Sequence, residues 1–161
     1  MTRILFSAAV AACLSVSAAV PAVAEPGDAM VGLADAQAIA GRAQRTATEK
    51  GLNMAIVVVN REGRVILSYR MDGSSFINLA LAEKKAATAA AIGAPTSILE
   101  QLADGGKPSL LSVPGAALVG GGVPIMRGDR IVGGIGVSGG SAQDDEAVAK
   151  SGLDAAASGA K

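Results

Sequence analysis

Ten glycines fall between Gly115 and Gly140, leaving only three short apolar runs among them, at 116–119, 123–126 and 131–137. A glycine inside a helix costs about 1 kcal/mol relative to alanine, so this stretch is no helix. Short apolar runs bounded by glycine predict two or three strands joined by tight turns, with Gly128-Asp129 at a hairpin tip. The C-terminal half of the chain is therefore committed to a glycine-lined sheet.

The rest supplies helices and one more hairpin. Leu33, Ala36, Ala40, Ala43 and Ala47 recur at helical spacing, which predicts a helix over 33–50 that Gly51 stops. The β-branched run between Asn53 and Asn60 predicts a buried strand. Arg61-Glu62-Gly63 turns the chain into an alternating strand over 64–70, which Met71-Asp72-Gly73-Ser74 ends. A second helix runs from Ser75 or Phe76 to about Ile92, with Gly93 past its end and Pro95 barring continuation. Ser97 and Glu100 have capping-box spacing at the start of a short third helix. Asp144-Asp145-Glu146 suits the start of a last helix reaching about Ala157, where negative charge favours the helix dipole. The order α-β-β-α-α-β-β-β-α gives an α+β class with one antiparallel sheet.

Residues 1–24 read as an export leader: Arg3, an uncharged apolar stretch over 4–20, then Ala22-Val23-Ala24 as a small-x-small cleavage site. The mature chain, 25–161, is then one cysteine-free domain with its core at about 32–153, periplasmic or secreted and not inserted in a membrane. The alternative is a lipoprotein, because Val10-Ala11-Ala12-Cys13 loosely matches a lipid-attachment box.

Composition removes much chemistry. With no histidine there is no Ser-His-Asp triad and no His-ligated zinc, and the single cysteine makes no internal disulfide. Fourteen basic residues balance fourteen acidic ones, and the aromatic residues are Phe6, Tyr69 and Phe76 alone, so nucleic acid is an unsuitable partner. Gly134-Ile135-Gly136-Val137-Ser138-Gly139 spells a dinucleotide fingerprint, yet no β-branched run follows it to complete a βαβ unit. These glycines instead let a central strand pack closely against a helix. Lys84-Lys85 offers carboxylate contacts or a solvated helix face. Arg70 to Gly73 offers a turn with an exposed ion pair. For a small organic acid, Arg70 or Lys85 would clamp the carboxylate, with Asp72 or Asp145 as acid or base.

From about Gly32 to Leu153 the chain resembles the GlcG/HbpS family of haem-binding or haem-degrading domains. The resemblance is carried by Leu33-Ala34-Asp35-Ala36-Gln37-Ala38, Arg70-Met71-Asp72-Gly73, Lys85-Ala86-Ala87-Thr88-Ala89-Ala90 and Pro95-Thr96-Ser97. It continues through Val113-Pro114-Gly115, Gly120-Gly121-Gly122-Val123-Pro124 and Ile135-Gly136-Val137-Ser138-Gly139. It implies a profilin-like α+β fold, with a five-stranded antiparallel sheet flanked by helices, usually in homo-oligomers. It also implies an exported haem or tetrapyrrole binder, non-catalytic or weakly haem-degrading. The alternatives are an enzyme or accessory protein for a small hydroxy acid and an interaction module for a membrane sensor.

Haem is a flat apolar plate with two carboxylates, which asks for an apolar slot, a cationic rim and an axial ligand. Arg70 and Lys85 lie in matched segments and are the first candidates for the propionates, with Lys84 in reserve. Asp72, Thr88, Gly121, Pro124 and Ser138 complete the candidate ligand-binding set; no residue is assigned to catalysis. Axial ligation is left to Met54, Met71, Met126, Tyr69, a lysine, Thr88 or nothing.

Overall fold

The computed structural model describes residues 30–154; the segment read above as a leader, Cys13 and the last seven residues lie outside this range. Helix α1 (Leu33–Glu49) leads into the hairpin β1 (Ala55–Asn60) and β2 (Val65–Arg70). Helices α2 (Phe76–Ile92) and α3 (Ser97–Asp104) follow, then a 3-10 turn at Pro108–Ser112. The hairpin β3 (Gly122–Arg127) and β4 (Arg130–Ser138) and helix α4 (Ala142–Leu153) complete the fold. Every pairing is antiparallel and the strand order is β2-β1-β4-β3.

The class is α+β as the sequence predicts, but the sheet has four strands among the described residues, not five. The run at 116–119 has the composition of a strand and no neighbour to pair with. Two of its backbone groups are taken by side chains instead: Ala117 N–H donates to Thr88 Oγ1 (2.9 Å), and Val119 C=O accepts from Thr96 Oγ1 (2.8 Å), while Ala116 N–H turns back to Val113 C=O (3.4 Å). The capping box at α3 is also absent. Thr96 holds the cap position, and Glu100 reaches away to accept from Gly120 N–H (2.8 Å). Ser141 caps α4 in its place, accepting from Asp144 N–H.

Strand alternation divides the core into two layers. Ile56, Val58, Ile135 and Val137 pack against Ile39, Ala40, Ala43 and Val148 of α1 and α4. Ala55, Val57 and Val59 pack against Ala82, Ala86 and Ala90 of α2. In register with Val57 and Val59 stand Gly136 and Gly134, so both glycines face α2. A Cβ on Gly136 would collide with the Ala82 carbonyl, and one on Gly134 with the Ala86 carbonyl. The fingerprint-like glycines therefore sit inside a strand, where they admit the helix backbone itself.

Candidate ligand-binding site

Most of the candidate residues converge on the α2 side of the sheet. Arg70 and Ser138 are both register partners of Ala55, which packs under α2, so the three form one row on that face. Pro124 pairs with Gly134 on the same side, and Lys85 and Thr88 belong to α2 itself. Asp72 stands apart, exposed in the turn between β2 and α2. The set then splits into an outer corner and an inner polar cluster.

At the corner, Arg70 Nη1 donates to Ser74 C=O (2.7 Å), and its guanidinium carbon lies 4.7 Å from the centre of the Phe76 ring. One of its five N–H donors is thereby used and the group is held over an aromatic face. Phe76 is 83% exposed and Ile77 70%, an unusual display for two large apolar residues in succession. The corner thus presents a fixed cation beside bare apolar surface.

The inner cluster is closed to solvent. Lys85 is 1% exposed; its Nζ donates to Asp145 Oδ2 (2.7 Å) and to Val137 C=O (3.1 Å). Asp145 Oδ1 accepts in turn from Gly140 N–H (2.8 Å). Burial pushes the Asp145 carboxyl above the ordinary aspartate value of 3.8, outweighing the bonds from Lys85 and Gly140 that pull it down. Gly121 lies against this ammonium with φ +116°, so a side chain there would be both strained and in collision. A ligand carboxylate reaches Lys85 only by displacing Asp145. Lys84, next in sequence, points outward and is exposed, so the lysine pair divides between core and solvent. Thr88, one turn further along, is buried beneath the loop at Ala117, and Ser138 is buried at the end of β4.

The candidate axial ligands are scattered. Met54 is wholly buried, and Tyr69 and Met71 pack on the α1 side of the sheet, while Met126 is exposed near the β3–β4 turn. Among the described residues no three acidic, cysteine or histidine side chains are placed to hold a metal ion. An open cleft of about 460 Å³ lies between α3 and α4, lined by Glu100, Asp104, Glu146 and Lys150 among others. Lys150 pairs with Glu146 at 2.6 Å there. Burial pushes Glu146 up, but the bonds from Lys150 and Ser97 and the Lys150 charge hold its carboxyl below the usual range. Asp144, on the surface, is likewise lowered, first by the Ser141 hydroxyl and then by Lys50. An acidic cleft repels carboxylate guests; a second open cleft of about 400 Å³ runs along α1 between Gly41 and Glu49 and includes Arg45.

No local sequence pattern marks Thr96 and Glu100 as partners of the glycine loop, which lies 26 and 20 positions away along the chain. Asp145 had a readable signal: it falls in helical phase with Val148, Ala149 and Gly152, the buried face of α4.

A four-stranded antiparallel sheet with α2 on one face and α1 and α4 on the other makes this an α+β domain. A family model described as haem degrading protein HbpS-like matches residues 31–154. The chain belongs to this family. It is 32% identical over 103 residues to the protein GlcG of Escherichia coli K12, covering 64% of this chain and 77% of GlcG. A double mutant of Streptomyces reticuli HbpS superposes with a TM-score of 0.73 at 33% identity, covering 86% of this chain and 97% of that one. A PduOC–haem complex superposes with a TM-score of 0.71 at 27% identity, covering 78% and 94%.

Proposed function

We propose that this chain is an exported haem- or tetrapyrrole-binding protein, active as a homo-oligomer and without rapid turnover. The observation that carries the reading is the shared fold with a relative whose structure contains haem, at 27% identity. The chemistry of the α2 side supports it. A porphyrin edge lies against Phe76 and Ile77, and Arg70, already held over the Phe76 ring, has donors left for a propionate. The loop that covers Thr88 borders the same helix, and Lys84 supplies a second exposed cation. Met54, Met71 and Tyr69 face the other layer or fill it, so the ligand is gripped by its face and its carboxylates more than through iron.

Such a site is open and exchanges its guest. Mixing the purified protein with hemin gives a saturable Soret change, and Arg70→Ala weakens the affinity at least several-fold at unchanged fold. A spectrum identical to hemin in buffer refutes the reading. Thermal stabilisation by hydroxy acids, with none by hemin, transfers Arg70 to an organic-acid site.

A further inference from the structure

Lys85 and Asp145 raise a question that ligand contact does not answer. Their side chains are 1% and 3% exposed. Removing two charges from water costs several kcal/mol, and apolar residues of similar volume replace buried pairs with little or no loss of stability. Stability alone does not account for the pair.

Its position does. Lys85 Nζ joins α2 to the end of β4 through Val137 C=O and to the first turn of α4 through Asp145. The same ammonium abuts Gly121, whose carbonyl accepts from Val137 N–H (2.9 Å). The neighbours of Gly121 are fixed from the other side: Gly120 N–H by Glu100, and Gly122 N–H by Thr96 Oγ1 (2.9 Å). Immediately before this triglycine runs the segment 116–119, held to Thr88 by the bond from Ala117 N–H. Two anchors therefore rise from one helix, one turn apart, and the loop spans them.

We propose that Lys85 and Asp145 are positioning residues that fix the Gly120–Gly122 loop, and through it the segment 116–119, against α2. The consequence for ligand affinity rests on the function proposed above; the consequence for the loop does not. The test is a variant with both charges removed, Lys85→Met with Asp145→Leu. Expected are cooperative melting at a temperature lowered only by the unpaired Gly140 N–H and Val137 C=O, Ala117 amide exchange at least tenfold faster while the core amides of β1 and β4 hold, and hemin affinity at least several-fold weaker. Unchanged exchange at Ala117 overturns the proposal. So does a fall in melting temperature with all core amides accelerating together, or failure to fold, because the pair is then a plain stabiliser. If wild-type protein does not bind hemin, the functional reading fails while exchange at Ala117 still decides the role of the pair.

Discussion

The two faces of the sheet are packed by different means. On the α1 and α4 side, branched side chains such as Ile39, Ile56, Ile135 and Val148 interdigitate in the ordinary way. On the α2 side, Gly134 and Gly136 meet the carbonyls of Ala86 and Ala82, with Ala55, Val57, Val59, Leu79 and the helix alanines around them. One face tolerates repacking because its neighbours are side chains with rotamers to spend. The other has backbone against backbone and nothing that yields. It also carries the exposed Arg70–Phe76 corner, and from it Lys85 reaches past the end of β4 to Asp145 of α4, so rigidity and recognition meet on this side.

The sharpest way to break this contrast is to add a side chain where helix meets strand. Gly136→Val drives a branched group into the Ala82 carbonyl and the Ala86 amide; we expect a loss above ~4 kcal/mol, close to the whole stability of a small domain, read as absent cooperative melting by circular dichroism. Next is Lys85→Met, which strands the Asp145 carboxylate in the interior at a cost of about 3–5 kcal/mol near neutral pH. The sign of its pH dependence follows from burial. Asp145 already sits above 3.8, and without Lys85 it rises further, so the folded variant binds the proton more tightly than the unfolded chain. Stability in Lys85→Met is therefore lost as pH rises through that raised value, and its deficit against wild type shrinks on acidification in parallel urea titrations. Ile39→Val on the opposite face costs only about 0.5–1.5 kcal/mol, because the neighbouring side chains relax. Arg70→Ala is smallest in stability, below ~0.5 kcal/mol for an exposed side chain, and shows instead in the hemin titration.

Most of the fold was legible because period and punctuation agree. The α1 stripe, the Gly128-Asp129 tip and the left-handed Gly93 that ends α2 all stand where the sequence puts them. The fifth strand failed for a physical reason: apolar composition shows that 116–119 is covered, not which groups satisfy its backbone, and here Thr88 and Thr96 do so from two helices. The site was half legible. Arg70 ends a strand and precedes a turn, which marks it as exposed. Lys85 was readable as interior from its phase with Ala82, Ala86 and Ala89, but its partner lies 60 positions away and no local pattern joins them. The α2 contact with glycine has a local trace in the alternation Gly134, Gly136, though only the register shows which face they occupy.

The difference between the two faces is tested most directly by amide hydrogen exchange across the chain with and without hemin. The account predicts new protection confined to the β2–α2 turn, the first turns of α2 and the segment 111–119, with α1 and α4 unchanged. Protection centred on α1, or on the acidic cleft between α3 and α4, or none at a hemin concentration that saturates the Soret change, would contradict it.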